Sequence, residues 1–334
     1  MLSKLSEGKR SGLERLSNAR GVIAAAALDQ RGLLKKMMAQ HMEAGEPTDA
    51  MVSEFKRIAV ALLTQYASAI LLDVEYGISA MPYANQKGVM LAYEKSGYDS
   101  TAPEFIPSVT EGWSVLRLKE AGATAVKVLL YYTPFEKEWV NEQKKAWVER
   151  VGAECRALEI PMFLEFLGYD THGEGDAAYA RRKPEIVIAS TEEFTKDRYG
   201  ADVLKVEIPV AMRCVEGVNA FKGTSVYSKE QAQDYFRRAS QAATKPFVYL
   251  SAGVTHGEFI ESLEFALASG VSFHGVLCGR ATWQDAIPIF IEDGASACRD
   301  WLAQYGAENL RAINRVLDSA TPWREKYLSK GSSI

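Results

Sequence analysis

Short apolar runs alternate with amphipathic or polar segments of helical length along almost the whole chain. An apolar run without polar alternation is typical of a parallel strand that is covered on both faces. The segments between the runs are typical of helices, because several begin with Ser, Thr or Asp and end near Gly. The chain contains eight such runs, at residues 22–28, 69–72, 88–92, 126–131, 161–167, 203–208, 247–250 and 274–278.

Eight strand-then-helix units predict an α/β fold, the (β/α)8 TIM barrel, and leave a doubly wound open sheet as the less favoured alternative. Residues 79–87 offer little helix, so the second unit is the weakest. Residues 168–184 predict a long loop after the fifth strand. The clearest helix candidates lie at residues 49–66, 111–120, 138–158, 228–244 and 257–269.

Two segments lie outside the eight units. Within residues 1–20, the stretch 4–17 predicts an amphipathic N-terminal helix, which we expect to close the bottom of the barrel. Residues 309–334 predict a last helix followed by a frayed polar tail. No linker, repeat or low-complexity tract divides the chain, and its 334 residues suit one α/β barrel, so we predict a single domain over residues 1–334.

The composition is that of an ordinary globular protein, with 47% hydrophobic and 25% charged residues and a formal net charge of -4. No basic stripe predicts a nucleic-acid partner. No apolar run approaches the roughly 18 residues of a membrane span, and the N-terminus lacks the apolar region of a signal peptide. We therefore predict no membrane contact and a cytoplasmic location. The four cysteines show no C-x-x-C spacing and predict reduced thiols.

Charged residues interrupt three of the predicted strands: Lys127 lies in the fourth run, Glu165 in the fifth and Lys205 in the sixth. A lysine in a buried strand costs free energy unless it is used or paired. Burial and a second nearby cation favour the neutral amine, which is the nucleophile that attacks a ketone. These residues predict Schiff-base chemistry at Lys205, with Lys127 as the second cation and Glu165 as a proton shuttle.

Simpler structural roles are open for the same three residues. The stem of Lys205 could lie on apolar surface, or its ammonium could be neutralised by a structural ion pair. Lys127 and Glu165 could pair only with each other across adjacent strands.

Polar residues also follow the first two predicted strands, at the barrel end where the active sites of this fold lie. Asp29, Gln30 and Arg31 follow the first strand, and Asp73 and Glu75 follow the second. Asp29 could touch a substrate or only cap the helix that follows it. Asp73 and Glu75 could contact a substrate, or they could orient Arg31 or a lysine.

The loops after the seventh and eighth strands predict an anion site, because this position commonly binds phosphate in (β/α)8 barrels. Ser251, Ala252 and Gly253 follow the seventh strand, and Gly279 and Arg280 follow the eighth. Small residues let backbone N–H groups approach an anion, and an arginine can bind it in a bidentate way. Two ordinary turns and one surface arginine are the simpler alternative.

Metal and nucleotide chemistry have no support in the sequence. The four histidines, His41, His172, His256 and His274, show neither H-x-x-x-H nor H-E-x-x-H spacing. No G-x-G-x-x-G motif follows a predicted strand. We therefore predict a site that uses no metal and no nucleotide cofactor.

A series of motifs occurs along the chain in an order that is far more specific than any one of them. The motifs are Ala27-Leu-Asp-Gln-Arg-Gly32, Leu72-Asp73, Glu75-Tyr-Gly77, Leu91-Ala-Tyr-Glu-Lys95 with Gly97-Tyr-Asp99, Ala125-Val-Lys127, Phe163-Leu-Glu165 with Tyr169-Asp170, Val203-Leu-Lys-Val-Glu207, Tyr249-Leu-Ser-Ala-Gly253 and Gly275-Val-Leu-Cys-Gly-Arg-Ala-Thr-Trp283. In these motifs nearly the whole chain resembles the class I tagatose 1,6-bisphosphate aldolases of the tagatose 6-phosphate route.

The resemblance implies a metal-independent (β/α)8 aldolase in which Lys205 forms a Schiff base with the substrate ketone. It also implies that Glu165 is the acid and base, that Lys127 tunes the electrostatics and that Asp29 assists at the C4 hydroxyl. A phosphorylated ketose would be the partner, in lactose and galactose catabolism, and a homo-oligomer is the expected state. The predicted substrate and phosphate ligands, with two sequence neighbours included, are Gln30, Arg31, Ser251, Ala252, Gly253, Gly279 and Arg280.

The implied reaction is cleavage of D-tagatose 1,6-bisphosphate to dihydroxyacetone phosphate and D-glyceraldehyde 3-phosphate, with tolerance of fructose 1,6-bisphosphate. Class I aldolases of sulfofructose 1-phosphate are similar in the same motifs, which do not separate a sulfonate from a phosphate. A further alternative is a non-catalytic regulatory protein that senses sugar phosphates and contacts a transcription factor or another partner. The retained Lys205 and Glu165 favour catalysis over that alternative.

Overall fold

The computed structural model of the protein describes residues 5–95, 104–169 and 176–328. Eight parallel strands form a closed barrel, in which each strand pairs with the next and the last returns to the first. The predicted (β/α)8 barrel is therefore confirmed. The strands are β1 (Ile23–Leu28), β2 (Ala69–Leu72), β3 (Gly88–Ala92), β4 (Ala125–Tyr131), β5 (Met162–Leu167), β6 (Val203–Val206), β7 (Phe247–Leu250) and β8 (Gly275–Cys278).

Helices surround the barrel and cover the outer face of the strands. Within the described ranges, no helix combines the length and the apolar character needed to cross a bilayer. The helices are α1 (Glu7–Leu16), α2 (Gly32–Ala39), α3 (Asp49–Leu63), α4 (Val115–Glu120), α5 (Glu138–Ala157), α6 (Asp176–Phe194), α7 (Lys229–Ala242), α8 (His256–Ala268), α9 (Arg280–Trp283), α10 (Ala286–Glu292), α11 (Gly294–Trp301), α12 (Ala307–Leu317) and α13 (Trp323–Leu328).

Three helical segments differ from the sequence prediction. The loop predicted over residues 168–184 is wrong from residue 176 on, where α6 begins; its first turns are rich in Ala and Arg, which are good helix formers. α2 was not predicted, and the helix predicted from residue 309 is interrupted between α12 and α13, next to Pro322. In the second unit, a short 3-10 helix at Ile78–Tyr83 replaces an α-helix, as the weak pattern indicated. Residues 97–99, Asp170, His172 and the tail 329–334 lie outside the described residues.

The N-terminal helix α1 packs across the amino ends of the strands. Leu13 and Leu16 of α1 join an apolar cluster that fills the barrel interior, and Trp323 of α13 joins it too. Gly12 allows this approach, since a Cβ atom there would lie 2.6 Å from the Pro161 ring, immediately before β5. α1 therefore occupies the bottom of the barrel, as the sequence predicted.

A buried ion pair fastens α1 to the starts of β5 and β6. Lys9 Nζ lies 2.7 Å from Asp202 Oδ2, and both side chains are almost fully buried. The same carboxylate oxygen accepts a hydrogen bond from the backbone N–H of Met162 at 2.8 Å. Removal of one partner from such a pair leaves an uncompensated buried charge.

We expect Lys9→Met to lower the free energy of unfolding by about 3 to 5 kcal/mol, because Asp202 then stays buried without its cation. Chemical denaturation followed by circular dichroism measures the change. Arg315→Met is the matched control, since Arg315 contacts Glu308 at 3.0 Å on an exposed surface, and we expect little change there. Equal stability of Lys9→Met and the control would contradict the anchoring role of this pair.

Candidate active site

Three neighbouring strands place a charged residue in the barrel interior directly above an apolar one. Side chains two positions apart on a strand point to the same face, so the charged residues share the inward face with the apolar cluster below them. The paired registers place these strands side by side. The apolar and charged pairs are Ala125 and Lys127 on β4, Phe163 and Glu165 on β5, and Val203 and Lys205 on β6.

The carboxylate of Glu165 joins the two lysines. Its Oε2 atom lies 2.8 Å from Lys205 Nζ and 2.8 Å from Lys127 Nζ. Lys205 is only 5% exposed and Lys127 only 1%. The structural pair considered between Lys127 and Glu165 does exist, but Lys205 shares the same oxygen, so the contact belongs to a larger cluster.

Lys127 contacts three carboxylates, which match the three N–H donors of its ammonium group. Asp29 Oδ2 lies 2.8 Å from Lys127 Nζ, and Glu94 Oε1 lies 2.7 Å away. Glu165 completes the set. Glu94 was not predicted as a site residue, although it follows the third apolar run by two residues and Asp29 follows the first run directly. Its position at a strand end was the signal that could have identified it.

Opposing effects set the charge of each group in this cluster. Burial lowers the pKa of Lys127, but Asp29, Glu165 and Glu94 outweigh burial and raise that pKa well above its ordinary value. Burial raises the pKa of Glu165 and of Asp29, yet Lys127 and then Lys205 bring both pKa values below the ordinary range. For Glu94, burial outweighs Lys127, and the pKa is raised. Lys127 is thus a permanent ammonium between ionised Asp29 and Glu165.

The Arg31 side chain supports the charged cluster through contacts with Glu75 and Glu94. The Arg31 guanidinium contacts Glu75 Oε1 at 3.0 Å and donates to the Glu94 carbonyl oxygen at 2.8 Å. Among the described residues, Gln30 rather than Arg31 lines the cavity that the other predicted phosphate ligands share. Asp29 accepts a hydrogen bond from Lys127, and the N-cap position of α2 is occupied by Arg31.

Asp73 pairs with a lysine that sequence analysis did not single out. Lys56 Nζ of α3 lies 2.7 Å from Asp73 Oδ1, and both side chains are fully buried. The same ammonium donates to the Leu28 carbonyl oxygen at 2.9 Å, immediately before Asp29. Asp73 therefore takes the orienting role that was one of its two alternatives, and it fixes the end of β1.

The remaining predicted ligands surround a cavity of about 260 Å³ above Lys205. Gln30 closes one side, and its Oε1 atom is buried without a hydrogen-bond donor among the described residues. Such an orphaned acceptor is suited to a hydroxyl or amide of a ligand. Among the residues that line the cavity are Gln30, Glu165, Lys205, Ser251, Ala252, Gly253, Gly279 and Arg280.

The loop after β7 has an unusual backbone. Ala252 has a φ of 48° and Gly253 a φ of 78°, so two successive residues lie in the left-handed region. A Cβ atom on Gly253 would lie 2.5 Å from the Arg280 guanidinium carbon. Gly253 thus allows Arg280 to lie flat against the loop, next to Ser251, where the two predicted phosphate loops meet.

Tyr131 and Glu207 also line the cavity and were not singled out from the sequence. Tyr131 is the last residue of β4, and Glu207 follows β6 two positions after Lys205. Glu207 accepts a hydrogen bond from the Gly168 N–H at 2.8 Å and pairs with Lys183 of α6 at 3.4 Å. Their places at strand ends were again the available signal.

The fold and the site together define an enzyme of the aldolase class on a (β/α)8 barrel. The lysine–carboxylate cluster lies inside the barrel, below two loops at the carboxyl ends of the strands that are suited to an anion. The chain belongs to the DeoC/LacD family of aldolases, whose family model matches residues 23–285.

Relatives of similar length match nearly the whole chain. The chain is 49% identical over 329 residues to tagatose 1,6-diphosphate aldolase 1 of Enterococcus faecalis, covering 97% of this chain and 99% of the relative. It is 46% identical to the tagatose 1,6-diphosphate aldolase of Streptococcus pneumoniae, covering 96% and 99%.

Solved structures share the fold at low identity. A fructose-bisphosphate aldolase from Plasmodium falciparum superposes with a TM-score of 0.66 at 15% identity, covering 94% of this chain and 97% of that one. A Schiff-base-forming fructose-1,6-bisphosphate aldolase superposes with a TM-score of 0.55 at 16% identity, covering 92% and 98%.

We expect Gly253→Ala to weaken the binding of inorganic phosphate roughly tenfold or more, because the new Cβ displaces Arg280 and a charge-assisted hydrogen bond contributes about 1.5 to 3 kcal/mol. Isothermal titration calorimetry with inorganic phosphate as the probe measures this. Gly257→Ala is the control, since a Cβ at residue 257, at the start of α8, meets no atom within 4 Å. Unchanged phosphate affinity in Gly253→Ala would contradict an anion site at this loop.

Proposed function

We propose that the protein is a class I, Schiff-base aldolase that cleaves D-tagatose 1,6-bisphosphate to dihydroxyacetone phosphate and D-glyceraldehyde 3-phosphate. One observation carries the proposal: a buried lysine, Lys205, contacts the carboxylate of Glu165 at 2.8 Å and faces a cavity under the two anion loops. The names of the relatives that are 46% and 49% identical support the choice of substrate.

Imine formation begins at Lys205. Its neutral amine attacks C2 of the open-chain ketose, and the C2 oxygen takes up protons and leaves as water. Glu165 lies within hydrogen-bond reach of the amine and carries these protons. The product is a protonated iminium, whose positive nitrogen accepts the electron pair released in the next step.

Bond cleavage follows at C3 and C4. Asp29 assists removal of the C4 hydroxyl proton, and the C3–C4 bonding pair moves into the iminium to form an enamine. D-Glyceraldehyde 3-phosphate leaves as the aldehyde. The Lys127 ammonium, held 2.8 Å from Asp29, stabilises negative charge that develops on the C4 oxygen. Protonation of the enamine at C3 and hydrolysis of the imine then release dihydroxyacetone phosphate and restore Lys205.

The phosphate groups supply binding energy away from the reacting bond. We assign one phosphate to the backbone of Ser251, Ala252, Gly253 and Gly279, with the Arg280 guanidinium as its charged partner. Binding of the phosphate away from the reacting bond orients C2 towards Lys205 and the C3–C4 bond towards the charged cluster.

The iminium supplies the electron sink that cleavage needs, so we propose that the reaction requires neither a metal ion nor an organic cofactor. Among the described residues, no group of three or more His, Cys, Asp or Glu side chains is placed to hold a metal ion. A cytoplasmic location and a homo-oligomeric state complete the proposal, and sedimentation equilibrium measures the second.

We expect borohydride reduction in the presence of dihydroxyacetone phosphate to trap a covalent adduct on Lys205, because reduction fixes the imine. Intact mass and peptide mapping detect the adduct, with and without EDTA. Lys205→Met should give no adduct. The control is Lys119→Met, at an exposed lysine, which should form the adduct as the wild-type protein does. Cleavage that EDTA abolishes, without an adduct, would refute the mechanism. An absent adduct together with absent cleavage would favour a binding protein.

Substrate choice is measured by kcat/KM for tagatose 1,6-bisphosphate, fructose 1,6-bisphosphate and sulfofructose 1-phosphate. We expect the first to be preferred and the second to be cleaved. A higher kcat/KM for the sulfonate would assign the protein to the sulfosugar aldolases.

We expect Glu165→Gln to lower the rate of cleavage by about 10² to 10⁴, because a glutamine cannot transfer the protons of imine formation. The rate of cleavage, measured by stopped flow, and the rate of formation of the borohydride-trapped adduct should fall together. A normal rate of adduct formation in this variant would show that another group carries the protons.

A further inference from the structure

Glu94 is a buried carboxyl group of the active-site cluster for which the mechanism above gives no role. It is 4% exposed and lies two residues beyond β3. Its carbonyl oxygen is held from two sides, by Arg31 Nη2 at 2.8 Å and by Thr110 Oγ1 at 3.0 Å. The backbone of Glu94 is thus fixed, and its side chain is aimed at Lys127.

The two oxygens of Glu94 have different surroundings. Oε1 accepts a hydrogen bond from Lys127 Nζ at 2.7 Å. Oε2 is buried and has no hydrogen-bond partner among the described residues. An ionised carboxylate with one bare oxygen is costly in a buried site, because its charge is spread over both oxygens.

The charges that face Glu94 act in opposite directions. Asp29, in the segment after β1, disfavours an ionised Glu94, whereas Lys127 of β4 and Arg31 favour it. Arg31 is itself paired with Glu75 from the end of β2. Lys127 is shared with two other carboxylates at 2.8 Å, and the second lysine, Lys205, contacts Glu165, so only part of one charge is left to offset an ionised Glu94.

We propose that Glu94 is a positioning residue that is protonated at neutral pH and, through a neutral carboxyl oxygen, holds the Lys127 ammonium between Asp29 and Glu165. The direction of its pKa, raised by burial, agrees with this geometry. The mechanistic part rests on the proposed aldolase function, whereas the protonation state does not.

A neutral Glu94 gives the cluster a charge suited to the iminium. One ammonium, Lys127, then faces two carboxylates, Asp29 and Glu165, and an iminium on Lys205 brings the buried cluster to neutrality. An ionised Glu94 would leave the cluster with an uncompensated negative charge at that stage. The neutral form therefore positions Lys127 without adding a charge that the buried site would have to neutralise.

The first test counts protons on unfolding and needs no enzyme activity. A carboxyl group whose pKa is raised in the folded state releases its proton on unfolding, so stability falls as pH rises above the unfolded pKa. We expect Glu94→Gln to remove about one released proton between about pH 5 and pH 7, measured from the pH dependence of urea unfolding. Glu120→Gln, at the exposed end of α4, is the matched control. An unchanged pH dependence in Glu94→Gln would overturn the protonated state.

The second test compares two variants in cleavage of tagatose 1,6-bisphosphate. Glu94→Gln keeps a neutral acceptor for Lys127, and we expect it to lower kcat by no more than about fivefold. Glu94→Ala releases the ammonium, and a loss of about 10² is expected, as for a misplaced catalytic group. Borohydride trapping on Lys205 should persist in both. Equal losses in the two variants, or none in Glu94→Ala, would overturn the positioning role.

A double-mutant cycle tests whether Glu94 acts through Lys127. In a Lys127→Met background, Glu94→Ala should lower kcat by less than about threefold, because its target is already absent. A full additional loss would overturn the proposed route. Wild-type protein that fails to cleave the substrate would refute the aldolase proposal, and the unfolding measurement would still decide the state of Glu94.

Discussion

The Lys127 ammonium holds the charged layer of the barrel together, because it contacts Asp29, Glu94 and Glu165 at 2.7 to 2.8 Å where solvent hardly reaches. Three carboxyl groups could not lie so close together in a buried site without this cation. The same arrangement places Glu165 beside Lys205, so a contact that offsets the cost of burial also brings a proton carrier to the amine.

The surrounding residues keep this layer in one geometry. Lys56 and Asp73 fix the end of β1, and Arg31 ties Glu75 to the backbone of Glu94. Beneath the layer, the apolar interior is closed by α1. The charged side chains therefore lie above an apolar layer and are held by the ion pairs around them, which is the condition for a preorganised site.

Much of the fold could be predicted because parallel strands buried on both faces leave continuous apolar runs. Each of the eight predicted strands begins within one residue of the strand observed, and only β6 ends before its predicted last residue, by two positions. The helix α6 was missed because its first turns lack an apolar period, and the break before α13 was missed because one proline in a helical pattern is a weak local signal. Contacts with the barrel, rather than local periodicity, decide those elements.

By itself, the sequence determined which chemical groups the barrel carries. Lys127, Glu165 and Lys205 interrupt apolar strands, and a charged side chain is rarely buried in a strand unless it is paired or used in a site. Only the tertiary structure decided their grouping. Strand register and barrel closure decide whether Glu94 contacts Lys127 and whether Arg31 contacts Glu75. Residues far apart in the chain meet only when every strand is in place. Periodicity within one strand fixes the face on which a side chain lies, but the partner across the barrel is fixed by the closed sheet.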